Sequence, residues 1–236
     1  MFFKYFLTWR DYITDLVKAV FRNRANRFIA EVEVDGKLER AHLPNTGRCK
    51  ELLIDGATVY LLPSDNPNRK TKFDLIAVQK GDRFINMDSQ APNKAAGEWL
   101  AAGGLGEISE LRPEVRHGDS RYDFSFLKDG KRCFLEVKGC TLEVDGIGYF
   151  PDAPTERGRK HLRELIELKK RGIRAVVFFL IEHPNGNSFR PNWENDPEFS
   201  KTLNEAYDAG VEIVVYKTEN TLESIEVTGE ALDFDL

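Results

Sequence analysis

The chain has 236 residues, a formal charge of -5, 41% hydrophobic and 31% charged side chains, and three cysteines. At ~100 to 200 residues per domain this length predicts one large domain or two small ones, and the composition excludes collagen-like, disordered and repeat architectures. Cys49, Cys133 and Cys140 are odd in number and contain no Cys-x-x-Cys pair, which excludes a disulfide framework and a zinc–thiolate site and predicts a reducing, cytoplasmic setting.

The acidic total argues against a phosphate polymer as partner, but the charges are unevenly spread. Residues 18–80 hold 12 basic and 8 acidic side chains, residues 152–174 hold 8 and 4, and residues 192–236 hold 2 and 12. Two segments of +4 therefore sit in a chain whose acidity is concentrated in its last 45 residues. Such segments are often no more than solvated faces, so their meaning depends on where they lie.

Residues 1–17 form an aromatic extension with Phe2, Phe3, Tyr5, Phe6, Trp9 and Tyr12. Lys4, Arg10, Asp11 and Asp15 interrupt any run approaching the ~20 apolar residues of a spanning helix, and no secretory cleavage site follows, which leaves membrane-surface binding as the lesser alternative to packing against protein. Phe6, Trp9, Ile13, Leu16, Val17 and Val20 recur at helical spacing and predict an amphipathic helix, packed on the body or, in a homodimer, on a partner subunit.

From Arg27 to Val34, Phe28, Ala30, Val32 and Val34 alternate with polar residues, and Asp35-Gly36 signals a two-residue hairpin turn. A return strand over 37–43 then sets Ala30 opposite Ala41. Further strands are predicted at 58–62, 73–79 and 83–87. Five short strands in about 60 residues predict a small barrel over 18–90, OB-like or SH3-like. Around Ala91 the pattern changes to a helix over 93–102, and residues 91–236 read as a second, mixed α/β domain. Strands at 121–127, 132–137, 175–181 and 211–216 alternate with helices at 155–171 and 197–209, which stop at Gly172 and Gly210. The run Ala175–Ile181 is apolar throughout and predicts a strand buried on both faces.

The stretch from Arg121 to Lys138 carries the chemistry. With Asp129 and Gly130 in the turn, facing residues sum to 259 and Asp123 stands opposite Glu136, with Cβ atoms roughly 4.5 to 5.5 Å apart. Two carboxylates at that spacing repel unless a cation offsets them, and Lys138 follows two residues after Glu136 on the same side of the pleat. Such oxygen ligands suit a hard cation, Mg²⁺ or Mn²⁺, held by Asp123 and Glu136 with its own waters retained. An exposed salt-bridge cluster of the same residues is the plain alternative.

Two basic stretches are candidate nucleic-acid contacts. Thr155-Glu-Arg-Gly-Arg-Lys-His161 begins a helix, where Thr155 can cap and Arg157, Arg159, Lys160 and His161 can meet phosphate oxygens. Three cations at a helix start oppose the dipole, so stability does not explain them. In the barrel, Arg22, Arg24 and Arg27 lead into a strand, and Asn45, Thr46 and Arg48 surround Gly47. There a phosphate contact and a plain turn read equally well.

The Asp123, Glu136-Val-Lys138 arrangement is similar to the PD-(D/E)xK nuclease core. Together with Pro44-Asn-Thr-Gly47 and the run Tyr149 to Leu165, the chain resembles the sugar fermentation stimulation protein A family over about residues 16 to 220. The resemblance implies an N-terminal OB-like barrel followed by a restriction-endonuclease-like, mixed-sheet α/β/α domain, and DNA binding linked to regulation of maltose metabolism. It implies catalytic roles for Asp123, Glu136 and Lys138, with Glu114 as an additional upstream acid. Three readings stay open: a Mg²⁺-dependent nuclease, a DNA-binding regulator of sugar utilisation without catalysis, and a module for a small phosphate ligand.

Overall fold

A computed structural model describes residues 16–236. The chain divides into two units, one running to Ala91 and taking in Glu219–Ile225, the other comprising Pro92–Thr218 and Glu226–Leu236. Nothing in the local sequence pattern separates Glu219–Ile225 from its neighbours, and the contiguous domain expected over 91–236 does not include this exchange.

The first unit is built from β1 (Val17–Asn26), β2 (Ile29–Val34), β3 (Lys37–His42), β4 (Thr58–Pro63), β5 (Phe73–Lys80) and β6 (Arg83–Asn86). Their order is β3-β2-β1-β4-β5-β6, and β3 also pairs with β5, so β1 to β5 close a five-stranded barrel. The Asp35-Gly36 turn has φ of 50° and 75°, as a two-residue hairpin requires, and sets Ala30 opposite Ala41. Phe21, Ala30, Val32, Ala41, Val59, Leu61 and Leu75 fill the interior.

Two sequence expectations change here. The first barrel strand is β1, so Val17 and Val20, expected on an amphipathic helix, are extended. Val17, Ala19 and Phe21 alternate with period two, and Ala19 and Phe21 are buried; the helical set Leu16, Val17 and Val20 shares only Val17 with this alternation. The other aromatic positions of the extension lie outside the described residues. The run 83–87, expected as the fifth barrel strand, contributes β6, which pairs with β5 alone.

The second unit contains α1 (Ala91–Ala101), β7 (Ser109–His117), β8 (Ser120–Lys128), β9 (Lys131–Cys140), β10 (Leu142–Val144), β11 (Ile147–Phe150), α2 (Glu156–Lys170), β12 (Arg174–Ile181), β13 (Ser188–Pro191), α3 (Pro197–Asp208), β14 (Glu212–Asn220), β15 (Ile225–Thr228) and β16 (Asp233–Phe234). Six strands form a mixed sheet in the order β15-β14-β12-β9-β8-β7, and a smaller sheet runs β10-β11-β13-β16. β12 pairs in parallel with both β9 and β14. Its residues divide between two cores: Val176, Phe178 and Leu180 pack with Ala96 and Leu100 of α1. Ala175, Val177, Phe179 and Ile181 pack with Leu162, Leu165 and Leu168 of α2 and with Phe199 and Leu203 of α3. An all-apolar strand is what this α/β/α layering demands, because both of its faces are covered.

The segments β7, β10, β11, β13, β15 and β16 carried no clear sequence signal. Most are short, and β7 alternates weakly because nearly all of it is exposed. Among the described residues no helix is long and apolar enough to cross a membrane.

Candidate active site and nucleic-acid interface

The β8–β9 hairpin turns at Asp129 and Gly130, with φ of 51° and 70°, and pairs Lys128 with Lys131 through to Phe124 with Leu135. Every pair sums to 259; the ladder ends at Phe124 and Leu135, one step short of Asp123 and Glu136, and Asp123 meets β9 through its carboxylate at Val137 N–H. Two turn residues with positive φ and a period of two are enough to determine this register. Asp123 and Glu136 are thereby brought to the end of the hairpin, where β9 continues alongside β12 with Glu136 beside Val177 and Lys138 beside Phe179.

The two carboxylates have separate partners. Asp123 accepts from Val137 N–H at Oδ2 and from Asn93 Nδ2 at Oδ1, both at 2.8 Å, so α1 and β9 hold it together. Glu136 Oε1 accepts from Lys138 Nζ at 2.7 Å and also meets His161 Nδ1 of α2. Lys138 Nζ stands 3.4 Å from His161 Nδ1, and Arg157 Nε lies 3.3 Å from His161 Nε2. An imidazole protonated on Nδ1 satisfies both ends, donating to Glu136 and accepting from Arg157. Glu136, Lys138 and His161 are nearly inaccessible, at 4%, 11% and 11% side-chain exposure, so this is not the exposed salt-bridge cluster that the hairpin alone allowed.

Their electrostatics diverge. Burial and the neighbouring Glu136 charge push the Asp123 carboxyl above its ordinary pKa, against the opposing effects of Lys138, Val137 N–H and Asn93. Burial also pushes Glu136 upward, but the Lys138 ammonium and His161 outweigh it and hold Glu136 below its ordinary value. A carboxyl disposed to keep a proton thus stands beside one disposed to stay ionised. Directly after Lys138, a Cβ at Gly139 would lie 2.3 Å from Glu182 Oε1 and 2.8 Å from Pro92, so only glycine lets β9 approach the start of α1 this closely.

Among the described residues no group of three or more His, Cys, Asp or Glu side chains is arranged to hold a metal ion. Two carboxylates are a donor set for a cation that keeps most of its waters, as Mg²⁺ does. Both Glu136 contacts fall on Oε1, which leaves Oε2 for a further ligand. The residues therefore fit a hard divalent cation held by Asp123 and Glu136.

Glu114 lies on β7 between Pro113 and Val115, which pair with Phe124 and Tyr122, so its backbone runs alongside Asp123. Its side chain is 70% exposed and pairs with Arg121 at 2.6 Å. Glu114 has φ of 53° in β7, a local irregularity that spacing along the chain does not reveal.

At the start of α2, Thr155 caps the helix by accepting from Gly158 N–H. Arg159 donates to both oxygens of Asp196 at 2.8 Å, and Asp196 also accepts from Thr155 N–H while capping α3 through Phe199 N–H. Burial raises the Asp196 pKa, but the two backbone N–H groups and the guanidinium outweigh it and leave the carboxyl below its ordinary value. Arg159 is thus a joint between two helices. His161 is turned toward Glu136, while Arg157 and Lys160 stay at the surface, Lys160 Nζ lying 3.6 Å from Glu164.

In the barrel, Arg24 donates to the carbonyls of Gly47 and Arg48 at 2.6 Å, Arg27 at 2.9 Å and Asn45 at 3.0 Å. Asn45 Oδ1 accepts from Gly47 N–H, closing a turn. Arg22 is bonded to Glu33 and Asp55. Arg27 lies over the Phe28 ring at 5.7 Å, and Thr46 and Arg48 are exposed. Arg24 and Asn45 therefore build the loop, and Arg27, Thr46 and Arg48 are the candidates it presents. Asn93 and Asp196 were missed by sequence reasoning: each is a lone polar residue at a helix start, and its partner lies 30 or more positions away.

Residues 23–87 match the model of the SfsA N-terminal OB domain, and residues 90–224 match that of the sugar fermentation stimulation protein RE domain. The chain belongs to the SfsA family. A sugar fermentation stimulation protein homolog of Methanobrevibacter smithii is 57% identical, over 94% of this chain and 98% of its own. A homolog of Clostridium beijerinckii is 53% identical, over 85% and 89%. The solved structure of Pyrococcus furiosus SfsA in complex with Ca²⁺ superposes with a TM-score of 0.86 at 29% identity, covering 98% of this chain and all of that one. The barrel and the mixed sheet described above are thus the architecture of an SfsA protein.

Proposed function

We propose that this SfsA protein is a cytoplasmic DNA-binding protein that hydrolyses phosphodiester bonds with Mg²⁺ or Mn²⁺ at Asp123, Glu136 and Lys138. The observation that carries the reading is the buried set itself. Two carboxylates of split pKa and an ammonium converge at the end of one hairpin, each held by a helix or by its neighbour. The Ca²⁺ in the Pyrococcus furiosus relative supports a site for a hard, oxygen-seeking cation.

Asp123 and Glu136 would hold the cation, which when bound supplies Lewis-acid chemistry against the charge that builds on the phosphate. Lys138 offers an ammonium to a phosphate oxygen and orients the attacking water, and Glu136 fixes that ammonium in place. His161 anchors Glu136, and Asn93 with Val137 N–H anchors Asp123, so the set is organised before substrate arrives. Arg157 and Lys160 lie one turn or less from His161 and contribute phosphate contacts that position the strand.

A second reading, a DNA-binding regulator without cleavage, is favoured by one observation: Glu136 and Lys138 already neutralise one another. The two are separated by incubating labelled single-stranded, duplex and branched DNA with the protein and Mg²⁺ or Mn²⁺. The nuclease reading expects cleavage that falls on the order of a hundredfold or more in Asp123→Ala and Lys138→Ala while binding persists. Binding without cleavage by the unaltered protein would transfer the conclusion to the regulator.

A further inference from the structure

The second unit has a cleft of about 540 Å³ in the region of the smaller sheet. Leu142 and Val144 of β10, Tyr149 of β11 and Trp193 line it, with Asn192 and Asn195. The volume suits one small ligand. Trp193 is 50% exposed and stacks on no other ring among the described residues, whereas Trp99 packs against Phe178 and Tyr216.

The indole sits on a rigid turn. Trp193 N–H donates to Pro191 O, Asn192 N–H to Phe150 O, Asp196 N–H to Asn192 O, and Asn195 Nδ2 to Asp152 O. An exposed tryptophan whose backbone is bonded on both sides loses little freedom when it stacks on something. The same bonds tie the cleft to residues 150–155, the segment that leads into the basic start of α2.

Charge narrows the ligand. Glu194 and Asp235 lie on the lining, and the one arginine there, Arg190, is already paired with Asp235 at 2.9 Å. Such a cleft repels a free phosphate. It suits a flat, uncharged group that offers a π face to Trp193 or Tyr149 and polar edges to side-chain amides.

We propose that this cleft takes a nucleobase of a single-stranded or unpaired stretch of DNA, stacked on Trp193, while Arg157 and Lys160 at the start of α2 hold the backbone. A base in a duplex is already stacked and paired and does not reach the indole. Stacking on exposed aromatic residues is how strands are held without sequence preference. The inference rests on the DNA-binding reading above and adds to it the form of DNA and the site of the base; it does not depend on cleavage.

The test uses the full chain in EDTA with three labelled probes: a dT dodecamer, an abasic dodecamer of equal charge and a dodecamer duplex. The dT strand is expected to bind roughly tenfold tighter than the abasic strand. Trp193→Ala should erase that difference, Trp193→Phe should keep most of it, and Lys160→Ala should weaken both single strands alike. Equal binding of the dT and abasic strands, or an undiminished difference in Trp193→Ala, overturns the proposal while leaving DNA binding in place. Preference for the duplex overturns it too, as does free dTMP competing as well as the dT strand. If none of the probes binds, the DNA-binding reading falls with it.

Discussion

Residues 18–80 and residues 152–174 carry the same formal charge of +4, and folding commits part of each set, but at the candidate phosphate contacts the barrel ties up its arginines more fully than the start of α2 does. In the barrel, Arg22 is taken up by Glu33 and Asp55, and Arg69 by Asp74 through two bonds of 2.6 Å. Arg24 is taken up by four backbone carbonyls. At the start of α2 only Arg159 is bound to a buried carboxylate. Arg157 and Lys160 keep their charge at the surface, Arg157 against His161 and Lys160 near Glu164. A cation count therefore overstates the field a phosphate meets at the barrel, because a guanidinium already bonded to carbonyls or carboxylates has few donors left.

The largest effect that separates structural from available cations is expected at Asp196. Asp196→Ala leaves Arg159 without its carboxylate and removes the acceptor for two helix-start N–H groups, and it should cost about 3–5 kcal/mol in a urea melt. Arg157→Ala should stay within about 0.5 kcal/mol of the unaltered protein. A comparable loss in both variants would place the two arginines in the same class and end the contrast drawn at α2.

Arg24 provides an intermediate test in the barrel. Removing charge-assisted bonds to four carbonyls should destabilise the protein by about 1.5–3 kcal/mol. In DNA titrations at several salt concentrations, the slope of log affinity against log salt should be unchanged in Arg24→Ala and smaller by about one in Lys160→Ala. A reduced slope in Arg24→Ala would return that side chain to the phosphate contacts.

The smallest effect is a pH dependence at Asp74. Burial raises its pKa, but Arg69 and His42 outweigh it, so the folded-state value lies below the ordinary one. Its contribution is therefore complete above the unfolded pKa and is lost as pH falls through the folded one. Melting temperatures measured from about pH 5 downward should fall more steeply for the unaltered protein than for Asp74→Asn. Parallel curves would mean that Arg69 is not committed to the barrel.

Legibility followed the range of the interactions. The β8–β9 register was readable to the residue because Asp129-Gly130 and strict alternation leave one solution. The helix over Glu156–Lys170 was readable because Leu162, Leu165 and Leu168 repeat at helical spacing and Gly172 ends it. Around Val17 and Val20 the reading failed, since two valines three apart fit a helix, whereas the strand buries Ala19 and Phe21 in phase with Val17 and leaves Val20 on the other face. Glu114, expected from the resemblance as an additional upstream acid, has a positive φ in an exposed strand and pairs with Arg121, neither of which spacing along the chain reveals.

By itself, the sequence determined the two-residue turns, the β8–β9 register as far as Phe124 and Leu135, and the placing of Lys138 on the Glu136 side of the pleat. Each follows from backbone geometry over fewer than 20 residues. Tertiary structure decided the rest. Asn93 reaches Asp123, His161 reaches Glu136 and Arg159 reaches Asp196 across separations of 30, 25 and 37 residues. Those contacts depend on which helix covers which face of the sheet: His161 helps hold the Glu136 carboxyl below its ordinary pKa, Asn93 opposes the upward push of burial on Asp123, and Asp196 commits Arg159 to the joint between two helices.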